Sequence, residues 1–115
     1  KVFSFGVVTY SNESKIKLLG VPNKIISKYG SVSEECCRSM IVNLEKISKS
    51  KISLAITGIA GPRGGSQKKP VGLVYVGIKK KKKIKINKYL FKNKSRENIR
   101  RNSVKKSLEL IQEFI

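Results

Sequence analysis

A strand-like run, Ile52-Ser53-Leu54-Ala55-Ile56, empties directly into Thr57-Gly58-Ile59-Ala60-Gly61-Pro62-Arg63-Gly64-Gly65-Ser66, and Lys68-Lys69-Pro70-Val71-Gly72 follows at once. Five of the nine glycines and two of the three prolines lie between Gly58 and Gly72. Glycine reaches positive φ and lets backbone approach a ligand closely, so a strand that opens into such a loop reads as a site held on a rigid support. This segment limits the fold more than any other, because it needs a sheet behind it.

The 115 residues suffice for one domain with one core. No apolar run is long enough to cross a bilayer, and no secretory leader pattern is present, so a soluble, cytoplasmic protein without membrane contact is expected. The chain opens on Lys1 rather than Met and reads as a partial or processed polypeptide. The net charge of +19 invites a polyanion partner. Yet 21 lysines stand against 5 arginines and are spread along the chain, whereas base readers and phosphate clamps favour arginine. Nucleic acid is therefore disfavoured, and Lys79 to Lys83 reads as a solvated hairpin tip. The absence of histidine removes the commonest metal ligand and general base. Cys36 and Cys37 are adjacent in a helical pattern and point about 100° apart, which suits small core residues in a reducing compartment rather than a metal site. No metal and no cofactor are expected.

Residues 2–10 have strand composition and Ser11-Asn12 ends them. A short helix is predicted from near Glu13, carrying Lys15 outward. A second helix begins at Val21-Pro22-Asn23 and stops at Gly30. Ser33 caps a third, with Glu34 and Glu35 complementing its dipole and Cys37, Met40, Ile41, Leu44 and Ile47 on its packed face. Residues 52–57 read as a central strand, paired in parallel with 2–10 or a near neighbour through a right-handed crossover. Residues 72–78 and 84–91 form an antiparallel hairpin across the lysine turn. Ser95 caps a final helix with an apolar stripe of Ile99, Val104, Leu108, Ile111 and Ile115. The expected fold is a single α/β domain over 1–115, a mixed sheet flanked by helices on both faces.

Polar groups gather at three element ends: Tyr10 to Lys15, Thr57 with its loop, and Arg96. Without histidine, a hydrolase needs another base, and a desolvated lysine beside a serine can serve, which makes Lys15 a candidate. Taken singly, spacing favours the plainer reading of each: Lys15 a solvated cation, Thr57 a strand-end hydroxyl and Arg96 a helix-surface charge.

Taken together they are more specific. Tyr-Ser-Asn-Glu-Ser-Lys-Ile-Lys-Leu-Leu-Gly-Val at 10–21, Tyr-Gly-Ser-Val-Ser-Glu-Glu at 29–35, and Thr-Gly-Ile-Ala-Gly-Pro-Arg-Gly-Gly-Ser with Lys-Pro-Val-Gly at 57–72 resemble the C-terminal domain of the CinA family, in order and over nearly the whole chain. That family includes stand-alone nicotinamide-nucleotide amidohydrolases. The resemblance implies deamidation of nicotinamide mononucleotide to nicotinate mononucleotide and ammonia, through an acyl-enzyme on a serine with a lysine as its base. It implies Lys15 as that base, Tyr10 as its neighbour, Thr57 as a pocket residue and Arg96 as the partner of an anion or developing charge. Gly58, Gly61, Gly64, Gly65 and Lys69 would contact the nucleotide. The partner is then a small-molecule nucleotide, with homo-oligomerisation open. The family's serine lies in a Glu-Ser-Cys-Thr-Gly-Gly-like segment that would precede Lys1, after a helix and strand, and no serine here matches it. The chain is expected to be an N-terminally truncated domain, inactive by itself. Two other readings stay open: a non-catalytic remnant or tail domain of a two-domain CinA protein, and a basic nucleic-acid binder.

Overall fold

The computed structural model describes residues 3–92 and 95–115. Four helices and three strands follow in the order α1 (Asn12–Leu19), α2 (Asn23–Tyr29), α3 (Glu34–Ser48), β1 (Ile52–Gly58), β2 (Leu73–Lys80), β3 (Lys83–Leu90) and α4 (Arg96–Phe114). The strands form one sheet in the order β1-β2-β3, antiparallel throughout, with Ala55 opposite Gly77 and Gly77 opposite Ile86.

Local chemistry sets the helix ends, at Gly30, Ser33 and Ser95 as the sequence implied and at Ser11 and Gly20 beyond what was read from it. Ser11 and Ser14 form a reciprocal capping box at the start of α1, and Gly20 closes that helix in the left-handed conformation. Ser33 accepts from the Cys36 N–H at the start of α3, Ser95 from Asn98 at the start of α4. Pro22 precedes α2 and Gly30 ends it. The hairpin turns through Lys81 and Lys82, with Lys81 at φ 56°.

Helices cover both faces of the sheet. On one face Cys37 and Ile41 of α3 pack over Ala55, Tyr75 and Ile86, joined by Leu19, Val21 and Ile26. Gly77 makes this contact possible, since an added Cβ would lie 2.2 Å from Ile41 Cδ1 and 2.9 Å from Cys37 Sγ. On the other face Ile99, Leu110 and Phe114 of α4 pack over Val74, Val76 and Ile78. Strand alternation thus sends neighbouring residues of β2 into two different cores.

The strand expected at 2–10 does not form. Val2 lies outside the described residues, and 3–10 carry no regular secondary structure, with Phe3, Val8 and Tyr10 exposed. The parallel pairing with 52–57 is accordingly absent, and β2, not β1, is the central strand. The physical reason is that β-branched composition describes a surface that fits a sheet; it supplies no ladder unless a strand lies alongside.

The stripe expected on α4 is also corrected. Ile99 is buried, but the packed face continues through Ser103, Ser107, Leu110 and Phe114, while Val104, Leu108 and Ile115 are exposed. Each serine donates its hydroxyl to the carbonyl four residues back, Ser103 to Ile99 and Ser107 to Ser103, both at 2.7 Å. A serine satisfied within its own helix can be buried, and its small side chain brings the helix close to β2. On α3, Ile47 is exposed and Cys36 is buried beside the predicted positions. No helix among the described residues is long and apolar enough to cross a membrane.

Candidate functional site

The glycine-rich loop leaves the end of β1 and returns into β2, so the sheet fixes both of its ends. Ile59 N–H donates to Leu73 O at 2.9 Å and Gly72 N–H to Ile59 O at 2.8 Å, closing the base of the loop. Its tip leans toward the C-terminal end of α2 and the first turn of α4. Between them is a cleft of about 520 Å³ lined by Asn12, by Gly30 to Val32, by Gly58 to Gly61, and by Arg63, Gly64, Lys69 and Arg96 among others. Among the described residues no carboxylate lines it.

Most residues singled out from the sequence meet here. Gly58, Gly61, Gly64, Lys69 and Arg96 line the cleft directly. Thr57 is buried beside Gly58 and is not among the lining residues; its hydroxyl donates to Ser31 O at 2.7 Å and ties β1 to the segment between α2 and α3. Arg96 donates from Nη1 to Gly61 O at 2.9 Å, holding the loop to the start of α4. Lys69 reaches across the cleft mouth and donates to Tyr29 O. Gly30 leaves room for that side chain, since a Cβ there would stand 2.6 Å from Lys69 Nζ, and its φ of 85° suits glycine. Gly65 packs against Val71 and is not among the lining residues. Tyr10 is 83% exposed and does not line the cleft either.

Lys15 is placed otherwise than expected. It turns inward with Leu19, four residues on, and is buried, its amine donating to Thr9 O at 2.6 Å. Burial pushes the amine below its usual 10.5, while the nearby Cys36 sulfur acts in the opposite direction. Asn12, one helical turn earlier, lines the cleft. The Cys36 thiol is pushed up by burial and drawn down by the charges of Lys15 and Lys69. Cys37, deeper under α3, is pushed up to about 12 by burial, by Cys36 and by Glu34, with Arg38 opposing. Both sulfurs are buried and free, as the sequence implied.

Ser31 and Arg63, which sequence reasoning did not name as site residues, line the cleft together with Asn12, named there only as part of the Tyr10 to Lys15 segment. The available signal was Arg63 lying inside the glycine motif itself. A shallower furrow of about 620 Å³, lined by Arg96, Glu97, Arg100, Arg101 and Val104, belongs to one helix surface and encloses nothing.

The glycine motif, the turn at 30–32 and Asn12 line one cleft, and the model of the CinA C-terminal domain matches residues 1–115. The chain belongs to the CinA C-terminal domain family. A Clostridium beijerinckii protein named for competence and damage induction is 44% identical over the whole chain. A CinA-like protein of Endomicrobium trichonymphae is 47% identical over 109 residues, 95% of the chain. The chain spans 28% and 25% of those two relatives. Among solved structures, the competence/damage inducible protein CihA from Agrobacterium tumefaciens superposes with a TM-score of 0.88 at 33% identity, over 91% of this chain and 64% of that one. A competence damage-inducible protein from Klebsiella pneumoniae gives 0.88 at 28% identity, over 94% and 66%. As a CinA-family domain, it has a cleft set at the loop ends of its sheet.

Proposed function

We propose that the domain is the acyl-transfer half of an amidohydrolase acting on nicotinamide mononucleotide, releasing ammonia and leaving nicotinate mononucleotide. The observation that carries the reading is Lys15. A buried amine whose protonated form is disfavoured by desolvation is a competent proton acceptor, and this one lies one helical turn from a residue of the cleft. Thr9 O fixes its position.

The other parts suit the same reaction. Thr57 braces the lining residue Ser31 from behind, and Arg96 holds the loop with one nitrogen, leaving further guanidinium donors for an anion or a developing charge. The nucleophile in this scheme is the serine of the family's Glu-Ser-Cys-Thr-Gly-Gly-like segment, which has no counterpart among residues 1–115. Its hydroxyl proton would pass to Lys15 as the oxygen attacks the amide carbon. The lysine would return that proton to the departing ammonia, and water would then release the acid.

The test is ammonia release from nicotinamide mononucleotide by the protein that carries this domain, wild type against Lys15→Ala. Loss of a general base of this kind is expected to cost about 10²–10⁴-fold in rate. Full activity in the variant would remove Lys15 from the mechanism. No release by the wild-type protein would sink the reading as a whole.

A further inference from the structure

At the end of the sheet away from the cleft, the fold gathers lysines that the sequence scatters. β2 and β3 meet there at the turn of Lys81 and Lys82, and Lys80 stands opposite Ile52, which brings Lys51 to the level of the turn. Only three residues separate the end of α3 from β1, so Lys46 and Lys49 arrive at the same end. With Lys83 these make six exposed lysines. Glu45 and Glu113, which face the hairpin from the two helices packed on it, are already paired with Lys79 and Lys85. All five arginines lie elsewhere: Arg38 in the first half of α3, Arg63 in the glycine loop and three in the first half of α4. Bulky apolar side chains stand among the lysines. Ile115 is 81% exposed beside Phe114, whose carbonyl accepts from Lys80, and Ile47 in the last turn of α3 is 48% exposed. Phe3 is 77% exposed next to Ser4, whose hydroxyl meets that of Ser50 at 2.8 Å.

We propose that this end of the domain is a docking surface for an anionic lipid bilayer, its lysines on the headgroups and Phe3, Ile47 and Ile115 at the edge of the acyl region. A cluster of about four to eight cations is the scale at which acidic lipids are recognised. Lysine suits the role, because its stem lies along apolar surface while the ammonium keeps its water. Duplex nucleic acid also attracts cations. The forked arginines that clamp its phosphates are absent from this end, however, and isoleucines gain nothing from a phosphate backbone. Lack of a spanning run, which set membrane contact aside at the level of sequence, is no obstacle, since surface docking requires none. β1 runs from this end to the cleft over about 20 Å, so a docked domain keeps its cleft away from the bilayer. The surface is independent of whether the cleft hydrolyses a nucleotide.

Flotation of this chain with lipid vesicles tests the surface. The vesicles are phosphatidylcholine alone or mixed with phosphatidylserine, in about 0.15 M salt. The proteins are wild type, Lys51→Gln with Lys82→Gln, Ile47→Ser with Ile115→Ser, and Lys68→Gln with Lys88→Gln. Lys68 is on the glycine loop and Lys88 is level with Thr57 through Tyr75, so the last pair removes an equal charge from the cleft end. All six positions are exposed, and circular dichroism should be the same throughout. Wild type is expected to float only with the acidic vesicles. Each lysine lost from the docking end should weaken binding about fivefold. The isoleucine pair should lose the binding that survives at about 1 M salt, where charge is screened, and the cleft-end pair should stay near wild type. No flotation with acidic vesicles would overturn the proposal, as would equal losses in the two lysine pairs, which would mean diffuse charge. So would tighter binding to duplex DNA than to acidic vesicles with the same dependence on Lys51 and Lys82, which would make the partner a nucleic acid.

Discussion

At the scale of single residues, the decisive fact is that Lys15 is the one buried lysine among the described residues, the other described lysines being partly or fully exposed. Lys15 differs from Lys17 only by position on α1: Lys15 shares its face with Leu19, whereas Lys17 points to solvent and pairs with Glu13. The inward position lowers the amine's proton affinity in the folded state, and the sign of the pH dependence follows. Between the depressed folded pKa and the ordinary 10.5, the unfolded chain binds more protons than the folded one, so stability rises with pH across that window. Below it, the cost of the buried cation is present in full. Denaturant titrations at a series of pH values should show this rising segment in wild type and lose it in Lys15→Met. Under the proposed mechanism the rate should climb as pH passes through the depressed folded pKa, where the neutral amine accumulates, and level off above it. A flat pH–stability curve in wild type would contradict the burial.

At the scale of elements, helix ends and strand positions follow local rules, whereas helix faces do not. Ser33 and Ser95 cap the helices that their positions implied, and Ser11, read from the sequence only as the end of a strand, caps α1 in the same way, because a side-chain oxygen three residues before a free N–H is a local matter. Which side of α4 is buried was misread, because apolar spacing points to Val104 and Leu108 while the packed face contains two serines. The fold therefore predicts an asymmetry between neighbouring leucines. Leu110→Ala should lower unfolding free energy by about 2–5 kcal/mol, the usual cost of truncating a buried leucine. Leu108→Lys, on the exposed side, should shift it by no more than about 0.5 kcal/mol. Comparable losses in urea unfolding for the two variants would show that the helix is rotated from the orientation described.

At the scale of the whole molecule, the net charge of +19 has to coexist with a compact shape of 13.6 Å radius of gyration. Part of the lysine tip expected to be solvated is built into the fold. Lys79 meets Glu45 of α3 at 2.6 Å, Lys80 donates to Phe114 O at 2.9 Å, and Lys85 meets Glu113 of α4 at 2.8 Å. The hairpin is fastened in this way to helices on both faces. With 26 basic side chains against 7 acidic ones, however, most cations have no opposite charge to meet. Self-repulsion should therefore dominate the salt response. Raising ionic strength from about 0.01 M, where the screening length is roughly 30 Å, to about 0.15 M, where it is roughly 8 Å, should raise the melting temperature. A fall over that range, followed by calorimetry, would mean that the few ion pairs outweigh the repulsion.

The sequence alone determined the α/β class, the family, the caps at Ser33 and Ser95, the hairpin and the loop from Thr57 to Gly72. All of these rest on neighbours in the chain: turn residues, cap spacing, alternation and an ordered motif. Tertiary structure decided the rest. It buried Lys15, made β2 the central strand and turned serines toward the sheet. Each of those outcomes depends on which surfaces lie opposite one another, and a charge or a hydroxyl takes its meaning from the partner that folding supplies.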